Sequence, residues 1–276
     1  MDIASKLLLN TDVTRRVLVA FLRNELQRFG FCKAVLNLSG GLDSSLSCFL
    51  AAEAMGPENV LALLLPCRTS APDSTEHARQ VLEITGVHSK TIDITPMLDP
   101  HFAQDPQMSP VRRGNVMARV RMIVLYDHSV VWNGLPIGTS NKTELLLGYA
   151  TLYGDMASAV NPLGDLYKTQ VRQMARAVGV PEEIVQKPPS ADLWVGQTSE
   201  GELGFTYPEV DKRLYLLVDQ HYTPEEAIAA GFDRQFVETV VRRVRSYQFK
   251  RMQPIIAKVS RRDVGHDFLY PRDWGT

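Results

Sequence analysis

Short apolar runs alternate with amphipathic helical segments through the first half of this 276-residue chain, and that alternation restricts its fold most. Runs at 34–38, 60–65, 88–94 and 135–138 have the length of buried strands, and segments of helical periodicity separate them. Strands that alternate with helices form a parallel sheet through right-handed crossovers. The pattern therefore predicts an α/β fold with a doubly wound parallel sheet of about five strands.

The second half of the chain has a different pattern. Helical periodicity predominates at 167–178, 207–218, 224–230 and 235–247, so we expect a mainly helical C-terminal part. No long linker or internal repeat divides the chain. We therefore predict a single domain over 1–276, with a parallel-sheet core at about 14–165 and a helical part at about 166–276. The polar, proline-containing stretch 99–114 lacks periodicity and predicts a mobile active-site loop.

Charge and cysteine content exclude several classes of protein. Lys plus Arg (30) nearly equals Asp plus Glu (31), so no global field favours nucleic acid or an anionic membrane surface. No apolar run approaches the roughly 18 residues that a membrane helix requires. The three cysteines show no CxxC or metal-type spacing, and no secretory signal is evident. We expect a cytoplasmic protein without a nucleic-acid or membrane partner.

The most specific motif is the string SGGLDSS at 39–45, between a predicted buried strand and a predicted helix. Glycines allow the backbone to approach an anion closely, and a helix N-terminus offers free N–H groups and a positive dipole end. A glycine pair alone is more often a tight turn in which Asp43 or Ser44 caps the helix. No lysine follows the glycines, so the loop differs from that of kinases and GTPases. The full string favours phosphate binding.

SGGLDSS resembles the pyrophosphate-binding loop of the N-type ATP pyrophosphatases, whose sheet is called adenine-nucleotide alpha-hydrolase-like. Those enzymes cleave ATP between the α and β phosphates and hold the departing pyrophosphate in this loop. The resemblance implies Mg²⁺ held partly by Asp43, since hard cations prefer carboxylate oxygens beside phosphates. It also implies that the following residues bind ATP: Leu38, Ser39, Gly40, Gly41, Asp43, Ser44 and Ser45.

Downstream motifs resemble one branch of that superfamily, the NAD synthetases. The strings GTSNKTE at 138–144, YGD at 153–155 and NPLG at 161–164 precede Lys168 in the order found there. The resemblance implies that Thr139 and Lys168 contact ATP and that Glu144 is the second Mg²⁺ carboxylate. Taken alone, Asn141 and Glu144 also form an ordinary helix capping box.

The resemblance continues from about residue 15 to about residue 255 through the segments 114–122, 187–193, 202–207 and 249–251. It implies that Ser190 contacts ATP and that four residues contact deamido-NAD, namely Asn115, Arg119, Asp155 and Lys250. Residue types alone allow a simpler interpretation, in which Arg119 and Arg121 lie on a solvated helix face. For Lys250, a structural role at a helix end is equally compatible with the sequence.

Four positions depart from the family pattern. Leu152 and Ala159 stand where a lysine and an aspartate are expected near deamido-NAD, Ser199 replaces an aspartate, and Phe249 replaces a histidine. The ATP motifs are complete, so the departures concern how the dinucleotide is held.

The implied reaction is an ATP-dependent amidation of deamido-NAD by ammonia through an acyl-adenylate, giving NAD, AMP and pyrophosphate. Asp43 and Lys168 would support adenylation, and Asp155 would either deprotonate ammonium or only hold its loop. The family resemblance also implies a homodimer. Alternatives that share the loop are a GMP-synthetase-like amidation and tRNA sulfur transfer. Sulfur transfer requires nucleophilic cysteines, and Cys67 has no evident partner cysteine.

Overall fold

The structure is a computed structural model that describes residues 3–190, 192–194, 196–252, 254 and 256–261. Its centre is a parallel sheet of β1 (Ala34–Asn37), β2 (Val60–Leu64), β3 (His88–Thr91) and β4 (Leu135–Pro136), in the order β3-β2-β1-β4. Ala34 of β1 pairs with Val60 on one side and with Leu135 on the other. The α/β class with a parallel sheet is therefore confirmed.

Helices connect the strands and continue beyond them. Those of the first half are α1 (Ile3–Lys6), α2 (Thr11–Arg28), α3 (Leu42–Met55), α4 (Pro72–Thr85), α5 (Thr95–Gln104), α6 (Pro110–Trp132) and α7 (Lys142–Leu147). Those of the second half are α8 (Lys168–Val178), α9 (Glu182–Gln186), α10 (Ser199–Leu203), α11 (Tyr207–Leu214), α12 (Pro224–Ala229) and α13 (Arg234–Ser246). A π-helical turn, Tyr215–Asp219, extends α11, and a 3₁₀ turn, Gln248–Arg251, follows α13.

Side chains of β1 and β2 alternate between two apolar cores, one on each face of the sheet. Leu36 of β1 and Ala62 of β2 pack with α2, α3 and α8 on one face. Val35 and Leu63, their sequence neighbours, pack with α5 and α6 on the other face. Both faces are covered, which explains why these strands are almost continuously apolar. A third core joins α7 to α11 and α13.

The strand order reverses beside β1. The chain moves from β1 to β2 and β3 on one side, and then crosses to β4 on the other side of β1. In open α/β sheets the ligand crevice lies outside the carboxyl ends of the strands at such a switch point. The loop at 38–41 leaves β1 there and the loop at 137–141 leaves β4 there, so both motif-bearing loops begin at this crevice.

Two predictions differ from the structure. The sheet has four strands among the described residues, because Val160 makes only an isolated parallel bridge to Ile137, and Pro162, which has no N–H, follows closely. The predicted loop at 99–114 is wrong: α5 and α6 occupy most of it, and none of its residues lines the cavity described below. Pro96 and Pro110 lie in the first turns of these helices, where proline is tolerated.

Candidate active site

A cavity of about 470 Å³ opens at the carboxyl ends of β1 and β4. That volume lies within the usual range for small-molecule sites, roughly 300–1,000 Å³. The loop after β1, the loop after β4, the N-terminus of α8 and the segment before α10 contribute its walls. Among the predicted ATP-binding residues, all but Gly40 and Ser45 line it: Leu38, Ser39, Gly41, Asp43, Ser44, Thr139, Lys168 and Ser190.

Gly40 shapes the loop without lining the cavity. Its φ is +77°, in the region that favours glycine, and a Cβ at this position would overlap the carbonyl oxygen of Ser74 in α4. Only glycine therefore permits α4 to pack this closely against the loop. Gly41 follows as the N-cap of α3, whose first N–H groups have no intrahelical acceptors and lie beside the cavity. The loop thus has the backbone geometry of an anion-binding helix N-terminus.

The three serine hydroxyls have different surroundings. Ser45 is fully buried and its hydroxyl donates to the carbonyl oxygen of Gly41 at 2.8 Å, which closes the first turn of α3. Ser44 also donates to that carbonyl oxygen, at 3.0 Å, and lies 3.0 Å from the hydroxyl of Ser39. Ser39 is exposed to the cavity. The predicted ligand contact of Ser45 therefore has no support in this geometry, because that side chain holds the loop itself.

Asp43, Lys168 and Glu144 form a compact charged cluster. The Lys168 ammonium donates to Oδ2 of Asp43 and to Oε1 of Glu144, the latter at 3.3 Å. The amide of Asn141 donates to Oδ1 of Asp43 at 2.8 Å. The Lys168 side chain is only 4% exposed, and those of Asp43 and Glu144 are 17% and 18% exposed. Residues far apart in sequence thus converge where β1 and β4 end.

Burial and charge determine the protonation of this cluster. Burial raises the pKa of Glu144 to about 7; the Lys168 ammonium opposes that increase and the Asp43 carboxylate adds to it. Burial by itself lowers the pKa of Lys168, but the carboxylates of Asp43 and Glu144 outweigh it and raise that pKa above its ordinary value. Lys168 therefore carries a fixed positive charge at neutral pH.

Glu144 serves both the cluster and the helix that carries it. Its Oε2 accepts the backbone N–H of Asn141, while the Asn141 side chain accepts the N–H of Glu144, so the capping box predicted from the sequence is present. Glu144 therefore caps its helix and belongs to the charged cluster at the same time. The cap fixes the carboxylate in the orientation that reaches Lys168.

A further carboxylate, Asp211 of α11, is buried on the protein side of Lys168 and holds the backbone that carries it. Asp211 accepts the hydroxyl of Thr143 at 2.6 Å and the backbone N–H of Thr169 at 2.8 Å. The backbone N–H of Lys168 donates in turn to the Thr143 hydroxyl at 3.0 Å. Asp211 is fully buried, and that burial raises its pKa. No local sequence pattern links α7, α8 and α11, so the sequence does not predict this contact.

Three of the residues predicted to bind deamido-NAD lie outside the described cavity wall. Arg119 is exposed and donates to the carbonyl oxygen of Leu152 at 3.2 Å. Asn115 accepts the hydroxyl of Thr151 at 2.8 Å. Lys250 donates to the carbonyl oxygens of Gly148 and Ala150, both at 2.8 Å. Each of the three is bonded to the 148–152 segment, so in this structure they support the loop that carries Asp155.

Asp155 does line the cavity. Its Oδ1 accepts the backbone N–H of Thr151 at 2.6 Å, so the loop-holding role considered from the sequence is present. The side chain is open to the solvent of the cavity. The surrounding protein raises the pKa of its carboxyl by desolvation, against the effect of nearby Lys250 and Arg121. A raised pKa makes Asp155 a stronger base than an ordinary aspartate.

Three cationic side chains of the cavity wall were given no ligand role from the sequence: Arg121, Arg172 and Lys187. Arg121 is two positions beyond Arg119 on α6, and residues at that spacing point to different sides of a helix. Arg121 faces the cavity and donates to the carbonyl oxygen of Leu65 at 3.1 Å. The sequence could have predicted Arg172 in the cavity wall, because it follows Lys168 by four residues on α8 and so lies on the same side of that helix.

The fold and the site define a class: an α/β nucleotide-binding enzyme that holds phosphates between a glycine loop and a helix N-terminus, beside two carboxylates and a lysine. A family model described as NAD synthase matches residues 14–254 of the chain. The chain belongs to the NAD synthase family, and the resemblance drawn from the motifs is confirmed.

Similarity to relatives and to solved structures extends over nearly the whole chain. It is 58% identical to the NH(3)-dependent NAD(+) synthetase of Trichlorobacter lovleyi, over 98% of this chain and 99% of the relative. A solved NH3-dependent NAD synthetase from Campylobacter jejuni has a TM-score of 0.78 at 32% identity and covers 91% of this chain and 100% of its own. A solved NMN synthetase from Francisella tularensis has a TM-score of 0.79 at 30% identity and covers 90% of this chain and 99% of its own.

Proposed function

We propose that this protein is a ligase that makes NAD from deamido-NAD and ammonia, and that it cleaves ATP to AMP and pyrophosphate. The observation that carries this proposal is the convergence of the 39–45 loop with Asp43, Glu144 and Lys168 at the switch point of the sheet, in a chain of the NAD synthase family. The residue roles below are part of the proposal.

In the first step an oxygen of the nicotinate carboxylate attacks the α phosphorus of ATP. The new O–P bond forms as the bond to the β-phosphate oxygen breaks, and the electron pair leaves with pyrophosphate. The protein contributes mainly position and charge. The first N–H groups of α3 and the positive end of its dipole face the negative charge that develops on the leaving group, and Lys168 lies beside them.

In the second step ammonia attacks the activated carbonyl carbon. The C–N bond forms, the C–O bond to AMP breaks, and nitrogen loses one proton as the amide is completed. Asp155 is a carboxylate of the cavity wall outside the Asp43–Glu144–Lys168 cluster, and desolvation raises its pKa. We assign it the proton, in addition to its bond to Thr151.

The cluster also fits Mg²⁺. Mg²⁺ is usually bound by one or two carboxylates together with substrate phosphates and waters. Asp43 and Glu144 supply that number of carboxylates beside the phosphate loop, and no group of three or more potential ligands occurs among the described residues. When bound there with ATP, Mg²⁺ would neutralise phosphate charge.

Ammonia, rather than glutamine, is the proposed nitrogen donor. Release of ammonia from glutamine requires a thiolate nucleophile with an adjacent base. Cys48 is buried, and burial raises the pKa of its thiol to about 12. Cys32 is exposed and Cys67 is half-buried, and neither belongs to the cavity wall that the structure describes. The same distribution disfavours tRNA sulfur transfer, which needs nucleophilic cysteines at the nucleotide site.

We also propose a homodimer. Helix α6 exposes four apolar side chains along one side, with Val130 81% and Ile123 61% exposed; the others are Tyr126 and Val131. An exposed apolar stripe of this kind favours a protein interface. In α13, all of which is described, Val237 and Val240 are fully buried and the other large apolar side chains are at least partly buried. The proposed interface therefore centres on α6.

A product assay tests the function. The purified protein is incubated with ATP, Mg²⁺, ammonium and one acceptor: deamido-NAD, nicotinic acid mononucleotide or XMP. We expect AMP and pyrophosphate in equal amounts with NAD, and only with deamido-NAD. Preference for the mononucleotide would assign the activity named for the Francisella tularensis relative instead. ADP and phosphate as products, or efficient turnover on glutamine, would contradict the proposal. Among the described residues, no helix has the length and apolar content needed to span a bilayer.

A further inference from the structure

Arg172 is a cation without a counter-charge in the described part of the chain. It lines the cavity, and its Nε atom is buried without a hydrogen-bond partner there. No carboxylate of the described residues lies within ion-pair distance of it. The side chain is half-buried, and burying its Nε without a hydrogen-bond partner is unfavourable unless a ligand supplies one. Arg172 therefore has the environment of a residue that binds an anion.

Arg172 lies on the side of α8 that also carries Lys168, and it lines the same cavity as the loop at 39–45. Lys168, Arg172 and Arg176 follow one another at four-residue spacing on α8, so they lie roughly along one side. Lys168 reaches Asp43 at the start of α3, and α8 packs along α3. Arg176 is at the other end of α8, where it forms an exposed ion pair with Glu182 at 2.7 Å. Arg172 lies between them.

Lys187 reaches the same loop from another segment. Its ammonium donates to the hydroxyl of Ser74 at 3.1 Å, a neutral partner, and it lines the same cavity. Ser74 is the residue whose carbonyl oxygen lies directly against Gly40. Asp192 accepts the backbone N–H of Ala71 at 3.1 Å, which holds the segment after Lys187 against the start of α4. Lys187 is therefore anchored beside the glycine loop.

Charge balance shows why these two cations matter. Asp43 and Glu144 together outweigh Lys168, so the cluster beside the loop is net negative when both carboxylates are ionised. Lys168 is engaged by those carboxylates and cannot by itself neutralise a polyanion. Arg172 and Lys187 add two positive charges that have no carboxylate partner among the described residues. Both line the cavity and are available to a phosphate group in the loop.

We propose that Arg172 and Lys187 bind the pyrophosphate half of ATP and hold pyrophosphate as it leaves, together with the loop at 39–45. This proposal rests on the function proposed above and adds two binding residues to it. Arg172 offers a planar set of N–H donors suited to paired phosphate oxygens, and Lys187 adds a point charge. Both side chains should contact the β and γ phosphates and leave the AMP half untouched.

Binding measurements separate the two halves of the ligand. We would titrate inorganic pyrophosphate with Mg²⁺, and AMP separately, into the wild type and into Arg172→Gln, Lys187→Gln and Arg176→Gln by calorimetry. Arg172→Gln and Lys187→Gln should each weaken pyrophosphate binding about tenfold or more, since hydrogen bonds to charged groups are lost. AMP binding should stay near wild type in both. Arg176→Gln is the matched control on the same helix and should bind pyrophosphate normally.

The conservative variant Arg172→Lys keeps the charge and should recover part of the lost affinity. Unchanged pyrophosphate binding in Arg172→Gln and Lys187→Gln would overturn the proposal. An equal loss of AMP binding would also overturn it, because it would show a general effect on the cavity. If Arg172→Gln fails to fold by circular dichroism, Lys187→Gln carries the same test. A wild type that binds pyrophosphate through these residues but makes no NAD would leave this proposal standing and refute the proposed function.

Discussion

The proposed active site has an ATP side and a dinucleotide side, and their charged residues are bonded differently. On the ATP side, Asp43, Glu144 and Lys168 are almost buried and bonded to one another in the cavity. On the dinucleotide side, Arg119 and Lys250 are bonded to backbone carbonyls of their own chain and lie outside the described cavity wall. The first set is complete within one chain. The second set holds the loop at 148–155 in place, and we infer that the dinucleotide is bound partly through that loop and partly through a second copy.

The departures from the family pattern lie on the dinucleotide side or at its edge. The carbonyl oxygen of Leu152 is the acceptor of Arg119, and Phe249 is 54% exposed. Ser199 is the exception, because it is buried and lines the cavity. A site whose charges neutralise one another tolerates little substitution, because removing one partner leaves a buried charge unpaired. A surface that contacts its ligand through a loop has no such constraint.

The largest effect is expected at the two carboxylates of the ATP side. Asp43→Asn and Glu144→Gln should each lower kcat by about 10²-fold or more, because each removes charge from the proposed metal site. A glutamine at 144 can still accept the backbone N–H of Asn141, and an asparagine at 43 can still accept the Asn141 side-chain amide, so the fold should persist. Steady-state kinetics over a Mg²⁺ series provide the measurement, with the exposed Glu182→Gln as control. Near-normal activity of both variants at saturating Mg²⁺ would refute the metal assignment.

A smaller effect is expected from separating the subunits. Val130→Glu places a charge in the exposed stripe of α6 and should convert the proposed dimer into a monomer in sedimentation velocity. The KM for deamido-NAD should then rise by about tenfold while the KM for ATP changes little, since interface charges typically cost a few kcal/mol of association. Val17→Glu, at a 60% exposed position of α2 on the opposite face of the sheet, is the control. A fully active monomer would show that one chain binds the dinucleotide alone.

The pH dependence of ammonia use distinguishes the two roles of Asp155. If Asp155 takes the proton from ammonium, the KM for total ammonium should be nearly constant across neutral pH, because the protein supplies the base. Its raised pKa sets the lower limit, since at pH below that pKa the carboxyl is protonated and the base is lost. Asp155→Asn should make the KM fall as pH rises, in proportion to free ammonia. A KM that already falls in the same way in the wild type would leave Asp155 only its loop-holding bond.

The smallest effect is expected at Lys250. Lys250→Met removes two hydrogen bonds to carbonyl oxygens at the end of α7 and should lower stability by about 1–3 kcal/mol, seen as a lower Tm. Turnover at saturating deamido-NAD should stay close to wild type. The matched control is Lys90→Met, at an exposed residue of β3. A large rise in the KM for deamido-NAD without loss of Tm would instead assign Lys250 to the ligand.

The sequence predicted the fold, and the residues proposed for the ATP side lie together in the structure, for one physical reason. Each of those residues lies directly after a buried apolar strand or at the start of a helix, and parallel strands bring such positions to one edge of the sheet. Arg121 and Arg119 show where this reasoning stops, because both are on α6 and only the rotation of that helix decides which faces the cavity. Asp211 was missed because its contacts join three helices of separate sequence regions. Pro100 and Pro110 favour a loop in the sequence, although both lie in helices of the structure.

The acyl-adenylate is the central claim, and an oxygen label tests it most directly. Deamido-NAD labelled with ¹⁸O at both oxygens of the nicotinate carboxylate is converted with ATP and ammonium, and the products are analysed by mass spectrometry. In the proposed reaction one carboxylate oxygen bonds to the α phosphorus and stays there when ammonia displaces AMP. The account predicts one ¹⁸O in each AMP and none in pyrophosphate. Unlabelled AMP, or label in any other phosphate product, would contradict it.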